Sequence, residues 1–128
     1  MNKYAPSAIN AVHLVHTTEA LPPEAWELAT SALFGQGTAG QVKGCPRNAF
    51  LGLCEEGLIR GIKPGSYNNK PNSANKSYAI RAVELLKSEP GLTKDKMKLW
   101  AAVVNGAKKH NSQMDIVIAL WDSKLIVN

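Results

Sequence analysis

Aromatic residues make up only 6% of this 128-residue chain, and it holds just two cysteines, Cys45 and Cys54. Two cysteines nine positions apart cannot form the framework of a disulfide-stapled secreted domain. A reduced, cytoplasmic setting is expected. Long apolar runs are missing as well. The stretch nearest to one early in the chain, residues 8–15, is too short to span a bilayer and is broken by Asn10 and His13. No cleavage pattern follows it, so neither a membrane span nor a signal peptide is expected. Also absent are a Walker loop, a GxSxG elbow, a GxGxxG fingerprint, a CxxC pair and an HExxH motif. What remains is ordinary for a globular chain: 45% hydrophobic and 20% charged residues, too apolar for intrinsic disorder. One domain over residues 1–128 is expected.

Charge is unevenly spread. Residues 1–64 carry Lys3, Lys43, Arg47, Arg60 and Lys63 against five acidic residues, a balance of zero. The whole net charge of +5 therefore sits in residues 65–128. Such an excess favours an acidic partner without naming one.

The apolar pattern repeats. Residues 8–15 lie over residues 79–86 at an offset of 71, with five of eight positions identical. That offset also sets Leu21 on Leu92, Leu28 on Leu99 and Gly35 on Gly106. Further on, residues 49–55 meet residues 116–122 at an offset of 67, with Leu58 and Ile59 against Leu125 and Ile126. Duplication explains three matches in the same order better than chance does. The expected fold is all-α, six helices as two pseudo-equivalent three-helix repeats sharing one core. Repeat 1 covers about residues 4–60, a linker about 61–76, and repeat 2 about 77–127.

Spacings of three and four define the buried faces. Ala5, Ala8, Ile9, Val12 and Val15 mark the first helix, and Ala79, Ala82, Val83 and Leu86 its partner, beginning near Ser77. The second helix opens at Pro22 and Pro23, with Trp26, Leu28, Ala29, Ala32 and Leu33 as a broad apolar face ended by Gly35. Its counterpart takes Thr93 as cap and ends at Asn105 and Gly106. Cys45 and Pro46 open the third helix, and Gly57 closes it. Ser112 and Asp115 give the last helix a capping-box spacing. Trp26, Phe50, Trp100 and Trp121 are expected in the core. Pro64 and Gly65 suggest a type II turn in the linker.

Four chemistries can be weighed. A metal site from His13, His16, Cys45 and Cys54 fails on geometry, because nine helical residues separate the cysteines by roughly 13 Å. No metal and no cofactor are expected, and the histidines read as helix-surface residues. Cys45 at a helix N-terminus has the setting of an activated thiolate, with His110 as a conceivable base. The equivalent Ser112 makes both look like cap residues, which leaves a cysteine-dependent enzyme the least supported reading. Lys108 and Lys109 before a helix N-terminus suit an anion. Finally, Arg60, Lys63, Tyr67, Lys70 and Lys76 in the linker could touch nucleic-acid phosphates. Glu55, Glu56, Asp115 and Asp122 on the third helices have the wrong sign for that role.

Residues 44–59 and 110–115, together with residues 78–86, resemble a family of small uncharacterised bacterial proteins. The likeness runs over most of the chain. That family has no assigned activity, so the resemblance implies bacterial origin and transfers no chemistry. The leading expectation is a non-enzymatic binding module. Its working surface is expected at the paired third-helix N-termini: Cys45, Arg47 and Asn48 with His110, Asn111, Ser112, Gln113 and Asp115. The partner is expected to be a protein or an anionic ligand, with nucleic acid as the alternative.

Overall fold

The computed structural model describes residues 2–68, 73–104 and 109–127. Six helices carry the fold: α1 (Tyr4–Thr17), α2 (Pro22–Phe34), α3 (Gly44–Glu55), α4 (Ala74–Ser88), α5 (Lys96–Val104) and α6 (Gln113–Asp122). A single helical turn, Ala39–Val42, precedes α3, and a 3₁₀ turn, Pro90–Lys94, precedes α5. No strand occurs among the described residues. The chain is all-α.

Local chemistry sets the helix ends. Asn2 Oδ1 accepts from the amides of Tyr4 and Ala5 and so starts α1. Leu21 is extended before Pro22 and Pro23, and Glu24 Oε1 accepts from the Leu21 amide. Ser73 Oγ accepts from Lys76 N, which starts α4 at Ala74, one turn earlier than the apolar pattern implied. Asp95, and not Thr93, caps α5: its Oδ1 accepts from Lys98 N, while Thr93 lies within the 3₁₀ turn. Gly65 lacks the positive φ that the third position of a type II turn requires, so that turn is not formed. The expected helix end at Asn105 and Gly106 lies outside the described residues.

Packing interlocks the two halves. Helix α1 packs on α2 and on α6, while α4 packs on α5 and on α3, so each half's first helix covers the other half's third. The helices α3 and α6 also touch. Beyond them, residues 58–60 and 125–127 run antiparallel: Arg60 N donates to Leu125 O and Val127 N to Leu58 O, both at 2.8 Å. The turns feeding these segments match. Gly57 and Lys124, related by the offset of 67, both have positive φ, and Leu58 N→Leu53 O has its counterpart in Leu125 N→Leu120 O.

Burial corrects several expected faces. On α1 the fully covered side chains are Tyr4, Ser7, Ala8, Ala11 and Val12, with Ala5, Ile9 and Val15 only partly covered. On α2 they are Pro22, Ala25, Trp26, Ala29 and Thr30, leaving Leu28 58% exposed and Ala32 exposed. Leu99 is buried, so setting Leu28 over Leu99 pairs a surface residue with a core one. An offset of 74 pairs Ala25 with Leu99, Trp26 with Trp100 and Ala29 with Val103, all buried. The 3₁₀ turn between α4 and α5 accounts for the difference. Trp26, Phe50 and Trp100 are core residues, but Trp121 is half-buried, at the rim.

Candidate functional site

The N-termini of α3 and α6 come together, a point the sequence pattern left open. Asn111 Nδ2 lies 3.9 Å from Cys45 Sγ, a weak hydrogen bond across the molecule. Around that contact, however, the eight candidate residues sort into three groups.

Cys45, His110, Asn111 and Gln113 form the first. Gln113 is buried; its Oε1 accepts from Asn111 N at 2.7 Å and its Nε2 donates to Asn75 Oδ1 at 2.8 Å. No described imidazole is hydrogen-bonded to Cys45, because His110 Nε2 accepts from Met114 N at 3.1 Å. That bond caps α6. Ser112 has φ +70 and makes no side-chain cap, so the expected capping box is absent. Burial pushes the His110 imidazole below its ordinary value, Asp115 opposes the shift and Lys96 adds to it. Its ring also meets Trp100 edge-on at 5.2 Å.

Arg47 and Asn48 form the second group, held through the linker. Arg47 donates to Asn68 Oδ1 at 3.1 Å, and Asn68 Nδ2 donates to Asn48 Oδ1 at 2.8 Å. Beneath them lies Glu55, whose carboxylate is buried. Its Oε2 accepts from the amides of Tyr67 and Asn68, and its Oε1 from Lys76 Nζ at 3.0 Å. Burial alone would raise the Glu55 carboxyl, but these donors outweigh it and hold the group below the usual carboxylate range. The linker is folded back onto α3 by one acid.

Ser112 and Asp115 turn to the opposite side. Asn2 Nδ2 donates to Ser112 Oγ at 2.9 Å, and Lys96 Nζ meets Asp115 Oδ1 at 3.0 Å. These are ties between chain segments.

The basic set is less available than its charges suggest. Lys76 sits between Glu55 and Glu56, at 3.0 and 3.1 Å, so its charge is already matched. Tyr67 is half-buried and its hydroxyl donates to Lys63 O. Arg60 donates to Lys124 O at 3.0 Å. Lys63 and Lys109 are exposed, while Lys70 and Lys108 lie outside the described residues. Cys54 is fully buried and burial pushes its thiol up, which removes it from chemistry. His13 and His16 are on the surface, and no described group of three or more His, Cys, Asp or Glu is placed to hold a metal ion.

A cleft that sequence reasoning missed opens beside Arg47. It has a volume of about 300 Å³ and is walled by Pro23, Glu24, Trp26 and Glu27 of α2, Gln41 and Val42 of the single turn, and Arg47. Gln41 is locked, donating to Thr30 Oγ1 and accepting from Gly37 N. Trp26 is stacked on Phe50 at 5.0 Å, and its Nε1 is buried with no acceptor among the described residues. Buried indole N–H groups normally find a partner, which makes this one a feature needing a cause. Arg47 was the only residue of this wall visible as a candidate. Pro23, Glu24, Trp26 and Glu27 come from a helix whose apolar spacing marked it as core alone, and Gln41 and Val42 from a turn the spacing did not mark.

No described helix is long and apolar enough to cross a membrane. The model of a family described as a family of unknown function (DUF6979) matches residues 1–127. No curated protein and no solved structure matches the chain.

Proposed function

Because the chain belongs to that family of unknown function, its role must come from its own geometry, and we propose a non-enzymatic binding module that takes a short polar segment of a partner protein in the cleft between α2 and α3. The observation that carries this reading is a cleft of about 300 Å³ in which Arg47 faces Glu24 and Glu27 beside Trp26. An extended peptide offers alternating carbonyl and amide groups. Carbonyls suit the Arg47 guanidinium, and amides or a basic side chain suit Glu24 and Glu27. Of the expected working surface only Arg47 belongs to this cleft; the other seven residues have partners within the chain that serve the fold.

Nucleic acid is the weaker reading. Exposed Lys63 and Lys109 support it, and the neutralised Lys76 weighs against it. Its signature would be affinity that falls steeply with salt. A cytoplasmic location is supported by the two free cysteines. Duplication of a three-helix unit is supported by the matched turns at Gly57 and Lys124 and the interlocked helices.

The test is selection from a random peptide display library, followed by titration of the enriched peptides into labelled protein. The Trp26 indole N–H resonance should move on binding, and Arg47→Ala should weaken affinity about tenfold, a charge-assisted bond lost. Peptides that bind Arg47→Ala equally well and leave the indole resonance in place would refute the cleft.

A further inference from the structure

We propose that the chain associates head to tail with a second copy of itself, Met97 of one molecule seating in the groove between α1 and α2 of the next. On α2, Glu24, Glu27, Leu28, Ser31 and Ala32 recur at spacings of three and four and so share one face. None of these five is buried, and Leu28 is 58% exposed. Beside it runs a groove of about 490 Å³ whose apolar wall is Leu14, Leu28, Ala29 and Ala32. Asn10, His13 and Thr17 of α1 complete its lining, and Glu24 and Glu27 stand outside it, in an adjoining hollow that shares Leu28.

The other half presents the opposite. Lys94, at the end of the 3₁₀ turn, and Met97, Lys98 and Ala101 of α5 also recur at three and four, and all are exposed, Met97 by 56%. One projecting apolar side chain therefore stands between two cations. Glu24, Glu27, Lys94 and Lys98 make no salt bridge among the described residues. Glu24 accepts from the Leu21 amide through Oε1, as Asp95 does from Lys98 N, while Lys96 faces Asp115.

Charge complementarity selects the occupant. An apolar groove whose Leu28 edge adjoins two carboxylates calls for an apolar side chain flanked by cations, and every copy of the chain carries that feature on α5. Methionine suits such a groove because its unbranched side chain adapts to irregular walls. Since knob and groove are different patches, the contact is heterologous and leaves a free patch of each kind at the ends of an assembly. Opposite charges steer the encounter, and salt screens it. Neither Leu28 nor Met97 lines the Trp26 cleft, so the two substitutions below leave Trp26 and Arg47 in place, although Glu24 and Glu27 border both surfaces.

Sedimentation velocity over a concentration series tests the proposal, using Leu28→Asp and Met97→Asp. Both positions are exposed, and thermal melts should confirm that each variant folds. The unaltered chain should grow in mass with concentration and shrink as salt rises. Each variant alone should associate at least about tenfold more weakly, from loss of the apolar contact and added repulsion or unpaired charge. An equimolar mixture should restore a one-to-one dimer, because Met97→Asp keeps its groove and Leu28→Asp keeps its knob. An unaltered chain that remains monomeric, variants that associate normally, or a mixture that stays monomeric would each overturn the assignment.

Discussion

His110 accepts a proton or a hydrogen bond at Nε2, but not both. In the fold the acceptor role is taken, with Met114 N as donor, so protonation removes the cap of α6. Its folded value lies below the ordinary one of about 6.5, so the unfolded chain binds the proton more readily. The stabilisation is therefore whole above about pH 6.5 and is lost as pH falls through the lower, folded value. Replacing His110 with Gln keeps an acceptor but no titrating ring. At pH 8 the variant should cost about 1 kcal/mol, mainly through the lost contact with Trp100. Between pH 5 and 7 its urea midpoints should fall less steeply than those of the unaltered chain; parallel profiles would disprove the cap. His16, bonded to Arg60 O, is common to both proteins and cancels in the comparison. Nothing local foretold this role. Ser112 stands where a capping box belongs, but its backbone is left-handed and it makes no cap, while the histidine two residues earlier accepts from the Met114 amide.

Helix faces were legible wherever one face meets one neighbour. Ala8, Val12, Ala79, Ala82, Val83 and Leu86 repeat at helical spacing and are all buried. On α2 the reading failed because leucine and alanine on its outer face, at Leu28 and Ala32, look the same in sequence as those inside. Neither the proximity of the α3 and α6 N-termini nor their partners Asn2, Asn68 and Asn75 followed from the sequence. Those side chains arrive from segments whose positions depend on the finished fold. The C-terminal turns were legible only at Gly57, since Lys124 hides the same backbone behind a side chain that disfavours it. Lys124→Gly should relieve that strain without touching the carbonyl that Arg60 uses. A gain of about 1 kcal/mol, seen as a rise of about 4 °C in Tm, is expected. Gly52 makes the converse point: a Cβ there would stand 2.5 Å from Lys76 Cγ and 2.9 Å from its Cα. Gly52→Ala should therefore push α3 and α4 apart at a cost of about 1–3 kcal/mol, measured by urea unfolding. An unchanged midpoint would mean the two helices pack less closely than the structure has them.

At the scale of the whole molecule, the exchange of helices between halves decides how the chain unfolds. With α1 on α6 and α4 on α3, neither half can expose its third helix without uncovering the other's first. The antiparallel crossing at Ile59 and Ile126 closes the arrangement, and both side chains are buried. One cooperative transition is expected. Trp26 and Trp100 report on separate halves, each packed among its own aromatic neighbours. Chains that keep only one of them, with the other tryptophans changed to Phe, should show fluorescence midpoints in urea coincident with loss of helical circular dichroism. Ile126→Ala should then cost about 2–5 kcal/mol, the loss of a buried isoleucine, although it lies in the second half alone. The decisive readout is the Trp26 probe. If the halves share one core, its midpoint falls with that of Trp100; if only Trp100 responds, the halves unfold separately and the interlocking does not hold them together.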